Sequence, residues 1–176
     1  MKISEKLYQF TGGHAFLVVA GMHAGALYHA HDGEIEKLEK FEVPIPKYSD
    51  REGFYARGGR GETYVTGAVK EVDKNEIQKQ FIKKLVSQLT QEIARCQSNS
   101  IGLYLYAPQE MLPQLQDALP VGIRRHVRET FAGNHAHASP LALIGMLKER
   151  KEKSAESLKK ALAKPEAKKL LRKKAW

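Results

Sequence analysis

The apolar positions in the first forty residues form short runs typical of strands. Residues 14–20 (HAFLVVA) and 24–31 are rich in aliphatic and small side chains, which predicts two neighbouring central strands. Asp32 and Gly33 form a hairpin turn signal. The segment EIEKLEKFEV follows, and we predict an amphipathic outer strand that ends at Pro44. Its apolar residues are also three positions apart, as they would be in a helix. A helix is therefore the alternative for this third element of the meander.

The strongest helical pattern in the chain covers residues 73–96. Asp73 and Glu76 have the spacing of a capping box, which marks the start of a helix. Apolar side chains then recur every four residues on one stripe, at Ile77, Phe81, Leu85, Leu89 and Ile93. We predict that this stripe packs on a sheet whose centre includes residues 14–20 and 101–107.

The second half of the chain alternates strands with helices. Residues 101–107 (IGLYLYA) are predicted to form a buried strand and residues 109–119 a short helix. Ser139 and Pro140 are an N-cap and first-turn signal for a further helix. Four apolar residues between these helices are predicted to share one face of a strand: Val121, Ile123, Val127 and Phe131. The order implies an α/β fold with a mixed sheet of about five strands, a three-strand meander followed by β-α-β units with packed helices.

Charge is distributed unevenly along the chain. The 176 residues include 29 Lys and Arg and 20 Asp and Glu, for a net charge of +9. Residues 148–176 hold 12 of the basic and 4 of the acidic residues, so the rest of the chain is close to neutral. We therefore predict an α/β domain over residues 1–147 and a basic helical tail over residues 148–176. Such asymmetry favours a polyanionic partner, with nucleic acid ahead of anionic lipid.

The tail is the first candidate site. Cations along a weakly amphipathic helix can contact successive phosphates and release counterions. The residues assigned to nucleic-acid binding are Lys159, Lys160, Lys164, Lys168, Lys169, Arg172, Lys173 and Lys174. The alternative is a charge run that only solvates a projecting helix.

A cationic glycine-rich stretch, FYARGGRGE, is the second candidate site. It lies in residues 44–66, a segment rich in Pro, Gly and charge, and loops of this length are usually functional or disordered. The residues assigned to the loop tip and to RNA contact are Arg57, Gly58, Gly59, Arg60 and Gly61. Its glycines permit positive φ angles and a close approach to a partner. The alternative is an ordinary surface connection.

The order of these elements resembles a known family. A meander, a basic glycine loop, a long helix and the stretch IGLYLYAPQEMLPQLQDALP together resemble the bacterial host-attachment-type proteins. Those proteins are similar in turn to the middle domain of eukaryotic and archaeal class I peptide-chain release factors. The resemblance covers residues 14–147. It implies a release-factor middle-domain-like, ribonuclease H-like fold and contact with the ribosome, tRNA or rRNA.

The glycine loop departs from the release-factor pattern at one position. ARGGRG lies where release factors carry their Gly-Gly-Gln loop, but Arg60 follows Gly58 and Gly59 here. In release factors that glutamine helps to position water on the peptidyl-tRNA ester. The resemblance therefore implies a translation-associated RNA-binding protein without efficient peptidyl-tRNA hydrolysis. The alternatives are a host-attachment-type module that binds a protein partner, and a divergent hydrolase of peptidyl or aminoacyl esters. No local motif indicates a catalytic residue.

Two H-x-H pairs, His29 with His31 and His135 with His137, offer a third candidate chemistry. On a strand each pair would place both rings on one face, which a zinc site could use, and Asp32 or Glu34 could add a carboxylate. Histidines without metal are the preferred interpretation, because spacing alone does not establish the geometry of a ligand set. We expect no metal and no cofactor.

The remaining residues whose side chains could react or bind a ligand are expected to be structural. Cys96 is the only cysteine and lies at the end of a predicted helix, which indicates a buried or half-buried small residue without redox or metal chemistry. Tyr104 and Tyr106 share a face of their strand, which favours core packing over a stacking platform. The N-terminal residues lack the apolar run of a signal peptide, and no apolar stretch is as long as a membrane span. A cytoplasmic protein without membrane insertion is therefore expected.

Overall fold

A computed structural model describes residues 1–22, 24–43, 74–96, 98 and 100–163. The strands in these ranges are β1 (His14–Ala20), β2 (Ala24–His31), β3 (Glu34–Glu42), β4 (Ile101–Ala107) and β5 (Val127–Ala132). The helices are α1 (Lys74–Arg95), α2 (Met111–Ala118), α3 (Val121–Arg124) and α4 (Pro140–Ala163). The predicted glycine loop over residues 44–66 lies outside the described residues.

The five strands form one mixed sheet in the order β3-β2-β1-β4-β5. β1 pairs with β2 and β2 with β3 in antiparallel fashion, as expected for a meander. β1 pairs with β4 and β4 with β5 in parallel, as β-α-β crossovers require. The predicted α/β fold with a mixed five-stranded sheet is confirmed.

Helices cover both faces of the sheet. α1, α2 and α3 lie on one face, here called the α1 face, and α4 lies on the other, here called the α4 face. Phe81, Leu85 and Leu89 of α1 are buried in a cluster with the alternating strand residues Phe16, Val18, Leu103 and Leu105. Leu143, Ile144 and Leu147 of α4 are buried against the intervening strand residues, among them Leu17, Val19, Tyr104 and Tyr106. The predicted stripe of the long helix therefore packs on the predicted strands, and both tyrosines are core residues.

β3 is a strand, and a β-bulge explains its helix-like spacing. Tyr28 lies opposite Lys37 and Leu27 lies opposite Glu39, so Leu38 is an extra residue in the pairing. One extra residue moves every following side chain to the other face of the sheet. Ile35 accordingly packs on the α4 face, whereas Phe41 packs on the α1 face. The period of three in the sequence therefore reflects a change of face within one strand.

The prediction of a single strand from Val121 to Phe131 is wrong. Residues 121–124 form the short helix α3, in which the Ile123 and Arg124 amides each donate to the Pro120 carbonyl at 2.9 Å. Val121 is 83% exposed, whereas Ile123 is buried. Val127 and Phe131 do lie on β5, but a second bulge between their pairing partners places Val127 on the α1 face and Phe131 on the α4 face.

α4 begins as predicted and continues beyond its packed part. The Ser139 hydroxyl accepts a hydrogen bond from the Ala142 amide at 3.3 Å, which is an N-cap contact. The helix runs without interruption through the proposed boundary between residues 147 and 148. The side chains of residues 152–157 are all exposed. None of the helices in the described ranges combines the length and the apolar character needed to cross a membrane.

Candidate functional site

The sequence-predicted RNA-contact residues fall mostly beyond the described part of the chain. Arg57, Gly58, Gly59, Arg60 and Gly61 lie outside it. So do six residues of the predicted tail site, Lys164, Lys168, Lys169, Arg172, Lys173 and Lys174. The remaining two, Lys159 and Lys160, are in α4, and Lys160 is exposed.

The first turns of α4 beyond Leu147 are attached to the body by polar and cation–π contacts. The Lys148 ammonium donates to the Lys6 carbonyl at 2.8 Å. Arg150 Nε lies 3.6 Å from Glu129 Oε2. The Lys151 Nζ lies 3.6 Å from the centroid of the Tyr8 ring, a cation–π contact. These contacts fix the direction of this part of α4 relative to the sheet.

A polar groove of about 390 Å³ lies beside these turns. Its lining includes Tyr8, Tyr104, Arg128, Glu129 and Lys151. Tyr8 is 40% exposed, and its ring is packed edge-on against Phe10. Aromatic rings beside cations are the elements that single-stranded nucleic acids use for stacking and phosphate contact. The basic helix therefore starts at a surface that also offers an aromatic ring.

A second cluster of polar side chains lies where β1 begins and β2 ends, on the α1 face. His14 is the register partner of His31, and His29 lies two residues earlier on the same face of β2. The His14 ring stacks on the His31 ring at 4.2 Å and on the His29 ring at 5.1 Å between centroids. The expected sharing of a face by His29 and His31 is confirmed, and the structure adds His14 to the pair.

Hydrogen bonds order these histidines into a chain. His29 Nδ1 lies 3.2 Å from Glu36 Oε1. A carboxylate only accepts, so in the neutral ring His29 Nδ1 carries the proton and His29 Nε2 is left as an acceptor. His14 Nδ1 lies 2.9 Å from that Nε2 and donates to it. His31 Nε2 pairs separately with Asp32 Oδ2 at 3.1 Å.

Cys96 brings a thiol to the same corner. The Cys96 amide donates to the carbonyls of Glu92 and Ile93 at 3.1 and 3.2 Å, so the residue closes the last turn of α1. It is half-buried, as predicted. Cys96 offers a sulfur, and His14 and His29 each a ring nitrogen, and these ligand atoms all lie within 4.8 Å of one another. Cys96, His14 and His29 are thus the residues in the described ranges that could hold a metal ion together.

The electrostatic environment keeps His14 and Cys96 neutral. Burial lowers the pKa of His14, and the neighbouring His31 and His29 rings lower it further, whereas Asp32 acts in the opposite direction. Burial also raises the pKa of the Cys96 thiol, against a smaller opposing effect of its hydrogen bond with Ser98. The imidazole is therefore in the form that binds metals, while the thiol is protonated until a cation displaces its proton.

The second H-x-H pair lies elsewhere in the molecule. The His135 ring packs edge-on against Tyr106 at 5.7 Å, on the α4 face, and follows the carboxyl end of β5. His29 stacks on Phe16 at the opposite face of the sheet. The two pairs therefore do not meet. His135 Nε2 is buried without a hydrogen-bond partner among the described residues, and His137 is exposed.

His14 and Cys96 were not assigned to any site from the sequence. His14 could have been found, because a tight hairpin joining β1 to β2 sets residues 14 and 31 opposite each other. No local signal places Cys96 there, because its position depends on how α1 crosses the sheet.

Comparisons with known proteins identify no family for this chain. No family model matches it, and no curated protein matches it significantly. Among solved structures, it is similar to an archaeal translation termination factor, aRF1, with 9% identity and a TM-score of 0.47 over 85% of this chain and 42% of that chain. It is also similar to a structure described as an archaeal protein, with 11% identity and a TM-score of 0.46 over 85% of this chain and 41% of that chain. The chain thus spans less than half the length of these neighbours, and membership of the host-attachment family is not supported.

Proposed function

We propose that this protein binds RNA through the basic end of α4 and the residues that follow it, and that it acts in translation on the ribosome or tRNA. The observation that carries the proposal is the separation of packing from charge along α4. Its described buried side chains end at Leu147, whereas 12 of the 29 basic residues of the chain come after that position. Residues 1–147 then form the domain, and residues 148–176 form the RNA-binding tail.

Exposure and composition support binding over a purely structural role for this segment. The side chains of residues 152–157 and Lys160 are exposed, so the described body does not use them for packing. Clustered Lys and Arg that neutralise phosphates release counterions, which gives affinity with little sequence preference. The groove at Tyr8 and Lys151 adds a ring on which a base can stack.

The ribosome and tRNA are proposed as the RNA partners because of the glycine-rich stretch. Arg57 and Arg60 flank paired glycines at the position where release factors carry Gly-Gly-Gln. Arg60 in place of glutamine leads us to propose binding without efficient ester hydrolysis. Purified protein should leave peptidyl-tRNA on ribosomes intact, and Arg60→Gln should not create the activity, since positioning of the attacking water depends on the whole loop. Hydrolysis at release-factor-like rates would instead favour the esterase alternative.

The RNA-binding proposal is tested by a matched pair of triple variants in the full chain. Lys164, Lys168 and Lys169 changed to Gln remove three charges from the tail. Lys79, Lys83 and Lys84 changed to Gln remove three exposed charges from α1 and serve as the control. Binding to single-stranded RNA is measured across a salt series. If the three tail lysines each contact a phosphate, their removal should flatten the slope of log affinity against log salt by about 2, at roughly 0.7 per contact.

The control variant should keep the wild-type slope. Equal affinity and equal slope for the wild-type and tail variants would refute RNA binding by the tail and would favour a protein partner. Sedimentation with ribosomes at low and high salt then tests the partner. Ribosome association that is lost with the tail variant and kept with the α1 variant is the expected result.

A further inference from the structure

We infer that His14, His29 and Cys96 form a binding site for a borderline-soft transition-metal ion, for which Zn²⁺ is the reference. Two imidazoles and one thiol are the donor types that zinc sites use. They come from three elements, the start of β1, the end of β2 and the end of α1, so only the folded chain brings them together. This site is independent of the proposed RNA-binding tail.

The distances require only small side-chain adjustments. In a tetrahedral site with metal–nitrogen bonds of about 2.0 Å and metal–sulfur bonds of about 2.3 Å, two nitrogens lie about 3.3 Å apart and a nitrogen and a sulfur about 3.5 Å apart. The three ligand atoms here all lie within 4.8 Å of one another. His14 Nδ1 and His29 Nε2 are 2.9 Å apart and share one proton. An ion would take the place of that proton, which moves to His14 Nε2 as the ring changes tautomer, and the two rings would separate by about 0.4 Å.

The surroundings of His29 are those of a metal ligand. A ligating histidine almost always donates its other ring N–H to a carboxylate, carbonyl or water, which fixes its tautomer. His29 Nδ1 makes this contact with Glu36 at 3.2 Å, and this leaves Nε2 directed toward His14. The His29 side chain is 20% exposed, so the corner is shielded and still open to an ion from solvent.

His31 and the backbone hold the other two ligands in place. The His31 ring stacks on His14 and is itself paired with Asp32, whose second oxygen accepts from the Gly12 amide at 3.0 Å. The bifurcated hydrogen bond of the Cys96 amide fixes the thiol at the end of α1. Binding replaces the thiol proton by the ion and releases that proton to solvent. Three protein ligands leave the fourth tetrahedral position to water.

The test uses the full chain without a histidine tag, titrated with Co²⁺ as a spectroscopic substitute for Zn²⁺. The expected result is a thiolate-to-cobalt charge-transfer band with tetrahedral d–d bands, both abolished by stoichiometric Zn²⁺. Cys96→Ser should remove the charge-transfer band, and His29→Gln should remove binding. Glu36→Gln should keep the band and weaken the affinity about 10- to 100-fold, because Glu36 only orients His29. His137→Gln, which changes an exposed histidine at the other end of the sheet, should behave as wild type.

A second measurement covers the case in which a ligand variant fails to fold. In the wild-type and His137→Gln proteins, Zn²⁺ should slow the alkylation of Cys96, the only thiol in the chain, by at least tenfold. Unchanged alkylation, or cobalt spectra without a thiolate band, would overturn the inference. So would Co²⁺ binding that Cys96→Ser and His29→Gln leave as tight as in wild type.

Discussion

α1 and α4 have nearly the same length, 22 and 24 residues, but they use it differently. Among the described side chains, the buried ones of α1 extend from Gln78 to Leu89, whereas those of α4 extend from Leu143 to Leu147. Helices in proteins are stabilised mainly by packing of an apolar face, so α1 is a core element along most of its length. The described part of α4 beyond Leu147 owes its helical state to propensity and surface contacts, and the side chains of residues 152–157 are exposed to a partner.

The two helices also end differently. α1 ends at the sheet, where Cys96 lies beside His14 and His29. α4 is attached to Lys6, Tyr8 and Glu129, and its sequence beyond these contacts is rich in lysine. Each helix thus brings a distinct chemistry to its carboxyl end, a soft ligand in one case and positive charge in the other. The packed stretch of each helix is what positions that end.

The largest effect is expected from the core of α1. Phe81 is fully buried between β1, β2 and β4 residues, and its ring lies 3.0 Å from where a Cβ at Gly25 would be. Phe81→Ala removes these contacts and leaves a cavity, which should lower the free energy of unfolding by about 3 to 5 kcal/mol. Urea unfolding measures the change. Ser87→Ala, on the exposed side of the same helix, is the control and should change stability by less than about 0.5 kcal/mol. A small loss for Phe81→Ala would contradict the role of α1 as a core element.

A smaller effect is expected where α4 is fixed to the sheet. The Tyr106 hydroxyl donates to the Leu143 carbonyl at 2.8 Å in the buried interface. Burial raises the pKa of Tyr106, so the hydroxyl keeps its proton and remains a donor throughout the physiological range. Tyr106→Phe keeps the ring and its stacking on Phe131 but loses the bond, which should cost about 1 kcal/mol. If the variant is as stable as the wild-type protein, packing alone holds α4 on the sheet.

Local patterns were sufficient for the elements whose side chains keep one regular period along their whole length. The stripe of α1 and the apolar runs of β1, β2 and β4 predicted their elements within one or two residues of the observed bounds. The edge strands were harder, because bulges at Leu38 in β3 and near Arg128 in β5 exchange the faces of their side chains. A bulge is defined by the partner strand, so alternation within one segment cannot reveal it.

The histidine corner was only partly predictable for a similar reason. The spacing of His29 and His31 predicted a shared face, and the register confirms it. His14 and Cys96 are distant in sequence and meet because β1 lies between β2 and β4 with α1 above them. The functional assignment of the basic tail rests on charge, which the sequence supplies directly, and it stays a prediction for the residues beyond Ala163.

The dependence of stability on pH should distinguish the carboxyl end of α1 from that of α4. The described part of α4 contains no histidine, whereas α1 ends beside His14, whose pKa is lowered from 6.5 in the folded protein. Between the lowered pKa and 6.5, the unfolded chain therefore binds more protons at His14 than the native state does. The contribution of His14 to stability is present above pH 6.5 and is lost as the pH falls through the lowered pKa. Urea unfolding from about pH 7.5 to 5.5 should show a decline that His14→Gln reduces. A decline of equal size in the variant would assign the effect to other groups.

The smallest effect is expected from the exposed part of α4, where stability and binding should separate. Lys153 is exposed. None of the hydrogen bonds and ion pairs described above involves its side chain. Lys153→Ala replaces one good helix former by a better one, so the free energy of unfolding should change by less than about 0.5 kcal/mol. RNA affinity should nevertheless fall, and the salt slope should decrease by about 0.7 if Lys153 contacts one phosphate. Lys84→Ala on α1 is the matched control, because it removes the same charge from an exposed position on the opposite face of the sheet. A loss of stability at Lys153 comparable to that at Tyr106 would mean that α4 is packed beyond Leu147, and the division of the helix into an anchor and a binding segment would then be wrong.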